Sequence, residues 1–362
     1  MKRLTIALGL LLLAACGYLL LWPVAVDPVS WDAPRDRGLV DPFAPNDRLG
    51  RLRYLELGSH PGPEAVTGRD GFLYTGTADG NILRLRGDGS GLTVFARPGG
   101  RPLGLELDAE GNLIVANMHL GLQRIAADGS VSLLLEEWRP GERIYPNDVA
   151  VAADGRIFFT ESSAKFSGPR YGGTYDASLL DIVEHGGQGR LFEYDPARGE
   201  TRVLVSGLDF ANGVAISDDQ SYLLVAETGH YRIWRVGHGT PVERRVILDN
   251  LPGFPDNIDN GLAGRYRVGL VAPRNALIDE LSDRPWLRRL ILRLPRAMRP
   301  QAEPSTHVIG IDGNGLVLMN LQDSRAAFPS VTGVFETADA LYLSSLSGSR
   351  LARLDKQSRA RP

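Results

Sequence analysis

Cysteine is almost absent from this sequence. The single cysteine among the 362 residues is Cys16, in an apolar segment near the N-terminus. An intramolecular disulfide and a cysteine-ligated metal site are therefore excluded. The net charge is only -3, and basic residues do not cluster with aromatic ones, so no nucleic-acid partner is expected. A G-x-S-x-G motif is also missing, and Ser162-Ser163 has no His and Asp at a recognisable spacing, which argues against a serine hydrolase.

Glycine and proline, by contrast, are plentiful. The 42 glycines and 23 prolines fit a protein with many tight turns. Hydrophobic residues at 43% and charged residues at 23% are ordinary for a folded domain. The chain is long enough for one large repeat domain or for two domains of average size.

The N-terminal segment lacks charge after Lys2 and Arg3. Residues 4–26 are uncharged and long enough to cross a bilayer, and the leading positive charges predict that the rest of the chain lies outside the cytoplasm. Residues 1–26 are thus a predicted membrane anchor or signal segment. A retained single-pass anchor is favoured over a removed signal, because the apolar run continues past Cys16. The box LAAC leaves open a lipoprotein anchored at Cys16. Residues 27–51 are a predicted linker.

A repeat dominates the rest of the chain. The stretch 207–228 (GLDFANGVAISDDQSYLLVAET) has the pattern of a hairpin with a turn at Asp218-Asp219. Related segments begin at Pro63, Pro102, Pro146, Ala211, Pro255 and Val331, and most steps are close to the ~40–50 residues of a propeller blade. Insertions at 162–189 and 275–299 account for the longer steps. The sequence therefore predicts an all-β fold, a six-bladed β-propeller over residues 52–362, with both insertions projecting from the ring and an N-terminal transmembrane helix.

Side chains with oxygen atoms recur at the starts of four repeats, at Glu64, Asn147, Asn212 and Asp256. In a propeller these positions lie near one mouth of the central channel. Two carboxylates and two amide carbonyls suit Ca²⁺ better than Zn²⁺, and Asn257 could add a fifth oxygen. Turn capping would explain any one of them alone. Their recurrence at matching positions favours one shared calcium ion.

Other polar residues are weaker candidates for function. Asn117 could hydrogen-bond a substrate or only cap a turn, and Arg274 could bind an acidic substrate or lie on the surface. Glu161 and Glu227 each end a second strand, and we expect them to be structural partners between blades. His185 lies in the first insertion, where a solvated histidine is the simplest interpretation.

Several motifs resemble those of a known family. PNDVAV, DFANGVAIS, LPGFPDNI, FFTESS and WPVAVDPVSW resemble the strictosidine synthase-like family, which includes the adipocyte plasma membrane-associated proteins and is related to the gluconolactonase and paraoxonase propellers. The resemblance covers nearly the whole chain. It implies a six-bladed propeller with one central Ca²⁺ held by Glu64, Asn147, Asn212 and Asp256. Asn257 matches a further ligand of the paraoxonases.

The sequence departs from these relatives at informative places. The catalytic glutamate of plant strictosidine synthase falls at the start of the last blade, where this chain reads SVTGV with no carboxylate before Glu336. A lyase of that type is therefore disfavoured. The places of the paraoxonase His pair hold Leu103 and Met118, with His119 one residue away. Ala65 stands where their second calcium requires an acid, so one ion is expected.

The leading functional hypothesis is a membrane-anchored, calcium-dependent hydrolase of small lactones or aryl esters. The ion would polarise the substrate carbonyl, and Asp256 would act as general base toward water. The alternative is a non-catalytic propeller that calcium stabilises and that binds a ligand or partner at its mouth. The four or five protein ligands are fewer than the ~6–8 oxygens that Ca²⁺ usually takes, which favours open positions and hence catalysis.

Overall fold

Six sheets arranged in a ring make up the body of the protein. The computed structural model describes residues 2–356, whose strands include six antiparallel sheets of four strands each. The first strand of each sheet contacts the first strands of its two neighbours, so the sheets surround a central channel. The prediction of an all-β, six-bladed propeller is confirmed.

The blades take their strands almost entirely in chain order. Strand β1 spans Arg53–Glu56, and blade 1 consists of β2 (Val66–Arg69), β3 (Phe72–Gly76), β4 (Ile82–Arg86) and β5 (Thr93–Ala96). Blade 2 consists of β6 (Pro102–Leu107), β7 (Leu113–Asn117), β8 (Gly121–Ile125) and β9 (Val131–Leu135), followed by a small hairpin of β10 (Glu137–Arg139) and β11 (Glu142–Arg143). Blade 3 consists of β12 (Pro146–Val151), β13 (Ile157–Glu161), β14 (Gly189–Asp195) and β15 (Glu200–Leu208).

The remaining blades complete the ring. Blade 4 consists of β16 (Ala211–Ile216), β17 (Leu223–Glu227), β18 (Arg232–Val236) and β19 (Arg244–Leu248). Blade 5 consists of β20 (Gly253–Asn260), β21 (Arg265–Pro273), β22 (Thr306–Asp312) and β23 (Val317–Asp323). Blade 6 combines β24 (Val331–Glu336), β25 (Ala340–Ser345) and β26 (Arg350–Asp355) with β1 from the other end of the chain.

The two ends of the propeller meet in blade 6. Strand β1 pairs antiparallel with β26, with Leu55 opposite Leu351, and both side chains are buried. The repeat pattern did not predict this pairing, because β1 carries none of the residues that mark a repeat start. The first strand of the propeller thus pairs with the last one and completes blade 6.

Apolar side chains fill the space between neighbouring blades. Between blades 2 and 3, Phe159 is fully buried and stacks on Phe192, with ring centroids 4.8 Å apart, and both rings pack against residues of β7. Replacing a buried phenylalanine such as Phe159 with alanine usually costs about 3–5 kcal/mol. Ring closure therefore buries the faces that a single blade would leave exposed.

Helices occur at the N-terminus and in the two insertions. Helix α1 (Lys2–Leu21) is exposed along its length, and it is long and apolar enough to cross a membrane. The first insertion contains α2 (Gly168–Tyr171) and α3 (Thr174–Glu184), and the second contains α4 (Ala276–Glu280) and α5 (Pro285–Ile291). Short 3₁₀ turns occupy Thr228–His230 and Arg296–Met298.

The two insertions pack on each other over one mouth of the channel. We call helices α2–α5 and their connecting residues the lid. Its apolar core joins Phe166, Val183, Ile278 and Leu292 to Val26, the last residue of the predicted anchor segment. The insertions leave the ring as predicted, but they fold back over the mouth instead of projecting away, because each presents apolar side chains to the other.

The segment between helix α1 and the propeller is hydrogen-bonded to the rest of the protein at several points. The backbone amide of Val29 donates to Glu184 in the lid, and that of Trp31 donates to Ser282. Arg293, just after α5, donates to the backbone carbonyls of Leu19 and Trp22 at the end of α1, at 2.9 and 2.7 Å. The lid is therefore next to the end of the apolar helix.

Candidate metal centre

An irregularity at the start of the inner strands sets the direction of the candidate ligands. The register of β12 against β13 shifts between Pro146 and Val149, and β16 shifts against β17 between Ala211 and Val214. Strand β20 has a corresponding shift between Pro255 and Ile258. In a regular strand, side chains alternate between the two faces of the sheet. A bulge changes the direction in which the side chains next to it point. Asn147, Asn212, Asp256 and Asn257 all lie within these bulges.

Close packing of the inner strands depends on a glycine at one of these bulges. An added Cβ at Gly213 would lie 2.2 Å from the backbone nitrogen of Ile258 and 2.6 Å from the Cα of Asn257 in the next blade. Only glycine allows so close an approach between backbones. Asn257 therefore reaches the channel beside Asn212 because the residue after Asn212 has no side chain.

The structure brings the predicted ligands to the floor of one cleft. Glu64, Asn147, Asn212 and Asp256 all line the cleft under the lid, which has a volume of about 320 Å³. Glu64 precedes β2, and the others belong to the first strands of blades 3, 4 and 5. Each is at most 6% exposed. Asn257 is buried next to them, with its amide nitrogen 3.5 Å from Oε1 of Glu64.

Hydrogen bonds fix the amide nitrogens and leave the amide oxygens free. Nδ2 of Asn147 donates to Oγ of Ser162 at 2.7 Å, and Nδ2 of Asn212 donates to Oγ1 of Thr228 at 3.2 Å. Within residues 2–356, Oδ1 of Asn147, Asn212 and Asn257 and Oε2 of Glu64 are buried and accept no hydrogen bond. Buried oxygens without a donor are costly, so this arrangement favours a ligand that supplies positive charge.

The backbone around Glu64 is equally constrained. Its carbonyl oxygen accepts hydrogen bonds from the hydroxyls of Thr332 and Ser344 in blade 6, the latter at 2.8 Å. The backbone just before β2 therefore joins blade 1 to blade 6 at the channel wall. Arg101 is buried near the Glu64 carboxylate and donates to the carbonyl of Gly62 at 2.8 Å.

Burial makes the charged form of the channel carboxylates unfavourable and so raises their pKa values. Burial raises the pKa of Glu64 to about 7, against the lowering effect of the Arg101 guanidinium. The pKa of Asp256 is well above its ordinary range, first because the group is buried and second because Glu64 is close. Further along the inner strands, burial raises the pKa values of Glu106 and Asp259 to about 7. A bound cation would favour the charged form instead.

This donor set fits a calcium ion. All the candidate atoms are carboxylate or amide oxygens, which Ca²⁺ prefers, and nitrogen or sulfur ligands for Zn²⁺ are absent from the set. The amide nitrogens of Asn147 and Asn212 point to hydroxyl groups, whereas that of Asn257 donates to Glu64. Glu64, Asn147, Asn212, Asp256 and Asn257 are therefore the residues that would hold the ion.

Apolar side chains form the walls of the cleft above these oxygens. The propeller contributes Leu103, Met118, Phe210 and Phe254, and the lid contributes Leu179 and Ile291 among others. Leu103 and Met118 are the two residues that, in the sequence analysis, match the positions of the paraoxonase His pair. The cleft thus combines a polar floor with walls that suit an apolar ligand.

Asn117 and Arg274, the two tentative substrate residues, lie outside the cleft. Oδ1 of Asn117 accepts from the backbone amides of Arg101 and His119, and its Nδ2 donates to Gly99 and Gln123. Arg274 is 9% exposed and binds Asp279, Asn250 and the carbonyl of Pro34. Both side chains are occupied by structural partners, so the structure does not support a substrate role for either residue. The exposed position considered for Arg274 is not observed.

The other polar residues considered from the sequence are Glu161, Glu227 and His185, and they make mainly structural contacts. Glu161 binds Arg190, and Glu227 binds Arg232 and Trp234. These side-chain partners lie in the same blade as the acid. The backbone amides of Tyr145 and Asp209, in the segments that connect neighbouring blades, also donate to Glu161 and Glu227, in line with the expected role between blades. The prediction of a solvated His185 is wrong, because this side chain is only 2% exposed.

Sequence reasoning missed the hydroxyls that orient the candidate ligands. Ser162 and Thr228 each follow the second strand of a blade and meet the asparagine at the start of the first strand. The signal was present, since both blades have a hydroxyl residue directly after a strand-ending glutamate, at Glu161-Ser162 and Glu227-Thr228. It is weak because serine and threonine are common at strand ends.

Comparison with known proteins identifies the family. Residues 147–237 match the family model described as strictosidine synthase, and residues 41–85 match the model described as strictosidine synthase-like, N-terminal. The adipocyte plasma membrane-associated protein of Rattus norvegicus is 31% identical over 369 residues, covering 94% of this chain and 96% of that protein. The protein of the same name from Homo sapiens is 32% identical, covering 92% and 84%. Strictosidine synthase-like 6 of Arabidopsis thaliana is 31% identical, covering 86% and 83%.

Solved structures share the fold at lower identity. A gluconolactonase from Xanthomonas campestris superposes with a TM-score of 0.60 at 19% identity, covering 84% of this chain and 89% of that one. A calcium-binding protein, regucalcin, from Agrobacterium tumefaciens has a TM-score of 0.58 at 15% identity, covering 86% and 97%. The names of the relatives and the apolar helix α1 are consistent with a membrane protein. The chain belongs to the strictosidine synthase-like family that includes the adipocyte plasma membrane-associated proteins.

Proposed function

We propose that this protein is a membrane-anchored, calcium-dependent hydrolase of lactones or aryl esters. One observation carries the proposal. Buried oxygens of Glu64, Asn147 and Asn212 accept no hydrogen bond from the described residues and lie at the floor of an apolar cleft. A cation held there would be accessible from the cleft, which is what a reaction on a bound substrate requires.

The division of roles follows from the surroundings of each group. Ca²⁺, when bound, supplies a Lewis acid for the substrate carbonyl and for the charge that develops on its oxygen. Asp256 lines the cleft and would accept the proton of the attacking water. Glu64 is less suited to that role, because its carboxylate already accepts from the amide of Asn257 and lies near the Arg101 guanidinium. Asn147 and Asn212 would hold the ion without adding negative charge.

The walls of the cleft favour a substrate with an apolar body. Phe210 and Phe254 from the propeller face the same space as Leu179 and Ile291 from the lid. An acyl or aryl group can be buried against these side chains, while an ester or lactone carbonyl reaches the polar floor. The structural neighbours include a gluconolactonase, which supports a lactone as one substrate class.

A non-catalytic binding propeller is the second candidate. Glu64, Asn147, Asn212 and Asp256 come from blades 1, 3, 4 and 5, so an ion on all four would cross-link the ring. That role needs no reaction. The names of the family members, which describe membrane association, are compatible with it.

A substrate screen distinguishes the two candidates. The full chain in detergent, first stripped with a chelator, is assayed on a panel of lactones and aryl esters with added CaCl₂ and again with excess chelator. We expect hydrolysis only with calcium, and a rise in the melting temperature as calcium is added. Calcium-dependent stability without hydrolysis of any panel member favours the binding propeller. Full hydrolysis in excess chelator contradicts both candidates.

A further inference from the structure

A second group of possible metal ligands lies beside the lid, apart from the oxygen cluster in the channel. Nε2 of His185 is 3.4 Å from Nε2 of His230 and 3.5 Å from Oδ2 of Asp209. One ligand atom can be chosen from each of the three residues such that all three atoms lie within 4.8 Å of one another. The side chains of His185 and Asp209 are 2% and 9% exposed, and that of His230 is 23% exposed.

Three different segments bring these side chains together. His185 ends α3 in a left-handed conformation, with its backbone amide donating to Asp181. Asp209 lies between blades 3 and 4 and accepts from the amide of Gly187 at 2.6 Å. His230 ends the 3₁₀ turn after β17. The cluster therefore connects the lid to blade 4 through short, hydrogen-bonded segments.

Carboxylates lie close to the ring nitrogen of His230 that faces away from His185. Nδ1 of His230 lies 3.1 Å from Oδ2 of Asp209 and 3.2 Å from Oε1 of Glu227. Nε2 of His230 faces His185, on the opposite side of the ring from Glu227. A metal at Nε2 would bind the neutral imidazole, so its binding would release a proton from this ring. Glu227 thus has the place of the carboxylate that is the usual outer partner of a metal-bound imidazole, while Asp209 is counted among the ligands.

Two of the three separations in the cluster match the edge of a tetrahedral metal site, and the third lies within 4.8 Å. Two ligands at the ~2.0–2.1 Å typical of zinc–nitrogen bonds are separated by about 3.4 Å along a tetrahedral edge. The observed separations from Nε2 of His185 are 3.4 and 3.5 Å. Trp31 stacks on the ring of His185, with centroids 3.9 Å apart at 14°, and so fixes the plane of this imidazole.

We propose that His185, Asp209 and His230 form a site for a divalent transition metal of the Zn²⁺ type, which fastens α3 to blade 4. The fourth position would be open to water or to a carboxylate. The two imidazoles distinguish this site from the all-oxygen set in the channel, so the two sites would select different metals. The site does not depend on the proposed hydrolase activity.

Metal binding at this site would act on the lid. His185 directly follows the helix that supplies Leu179, Ile182 and Val183 to the wall of the cleft. Fixing that end of α3 reduces the opening motions of this wall, because local stability depends on how firmly each segment is attached. The expected readout is therefore metal-dependent protection of the α3 backbone, independent of any substrate.

The test uses the full chain in detergent, stripped with a chelator and returned to a buffer with excess CaCl₂. Titration with ZnCl₂ alone in a calorimeter should show one equivalent per chain, and CoCl₂ should give the intense visible bands of tetrahedral cobalt. His185→Gln and His230→Gln should each weaken zinc binding by at least ~100-fold, more than the 10–100-fold that loss of an outer partner usually costs. His60→Gln is the matched control, because His60 pairs with Asp79 at 2.7 Å on the surface, and it should bind zinc like the parent.

Hydrogen exchange of residues 174–185 provides the second measurement. Zinc should slow exchange there in the parent and in His60→Gln, but not in the two cluster variants. Absence of a zinc equivalent in the parent, or equal binding in all three variants, overturns the site. Zinc binding without protection of residues 174–185 overturns the fastening of α3. If a cluster variant does not fold, an octahedral cobalt spectrum of the parent overturns the site.

Discussion

The hydroxyl of Thr228 accepts a hydrogen bond from Nδ2 of Asn212 and donates one to the backbone carbonyl of Pro255, at 3.2 and 2.7 Å. Pro255 directly precedes Asp256 in the next blade. One hydroxyl thus orients a candidate ligand in blade 4 and the backbone beside another in blade 5. The geometry of the proposed calcium site therefore depends on residues that supply no ligand atom.

We expect Thr228→Val to weaken calcium binding by about 10–100-fold, the usual effect of removing an outer partner of a metal ligand. Valine keeps the shape of threonine but leaves the amide of Asn212 without its acceptor. The measurement is calcium affinity by calorimetry on the stripped protein. Thr93→Val is the control, because Thr93 is exposed on an outer strand, and it should leave the affinity unchanged. An unchanged affinity in Thr228→Val would contradict the orienting role.

Asp256→Asn should separate catalysis from calcium binding. The change keeps an oxygen but removes the proposed base, so hydrolysis should fall by ~10²–10⁴-fold in saturating calcium. The melting temperature in saturating calcium should fall much less. Both quantities are measured on the same preparation, with an ester or lactone that the parent hydrolyses.

Asn212→Ala should behave differently, because it removes a ligand and not a base. Calcium affinity and stability should both fall, and added calcium should partly restore the activity. The informative comparison is the calcium dependence of activity in the two variants. Equal loss of stability in both, together with a parent that hydrolyses no ester, would favour a purely structural calcium.

Glu336 should make stability depend on acidic pH. Burial raises the pKa of its carboxyl, but hydrogen bonds from Lys356 and the amide of Leu262 and the nearby Arg267 guanidinium outweigh burial and lower it below 4.5. Because the folded-state pKa is lowered, this contribution to stability is present above about pH 4.5 and is lost as the pH falls further. In denaturant unfolding, Glu336→Gln should cost about 3–5 kcal/mol at neutral pH, the usual effect of removing one partner of a buried ion pair.

The pH profile is the sharper test of this ion pair. The parent should lose stability more steeply than Glu336→Gln below pH 4.5, so that the two curves converge. Asp283→Asn is the control, because Asp283 and Arg284 form an ion pair with both side chains more than half exposed, and it should cost about 0–1 kcal/mol. Parallel curves for the parent and Glu336→Gln would contradict the assignment.

The positive charges before α1 predict that the propeller lies outside the cytoplasm. In bacterial spheroplasts that express the full chain, added protease should digest the propeller while a cytoplasmic marker stays intact. Intact-mass measurement then decides between the two anchors. A retained helix α1 leaves residues 2–15 in place, whereas a lipoprotein anchored at Cys16 lacks them. Full protection from protease would contradict the orientation.

The repeat pattern predicted the ring because each blade marks its inner strand in the same way. Asn147 and Asn212 stand at equivalent bulges, so their recurrence was visible without coordinates. Contacts between segments far apart in sequence were not visible. Nothing near Ser162 or Thr228 indicates which asparagine each would meet, and nothing in the first insertion indicates that His185 would be covered by Trp31.

The lid shows a second limit of the sequence pattern. Helical periodicity was evident in the second insertion, but α3 lies in a stretch rich in glycine and serine, whose composition resembles that of a loop. Its apolar face is explained only by the partners it packs against, such as Ile278 and Leu292 of the other insertion. Tertiary packing therefore determines this helix more than local propensity does.

The pairing of β1 with β26 has a consequence for biosynthesis. About 300 residues separate the two strands in the sequence. At ~5–20 residues per second, the ribosome needs about 15–60 s to make that stretch, during which Arg53–Glu56 has no partner strand. An unpaired strand is prone to non-native association. Ring closure is therefore among the last events of folding, and a chain that ends before Arg350 keeps an open sixth blade however well the other five have formed.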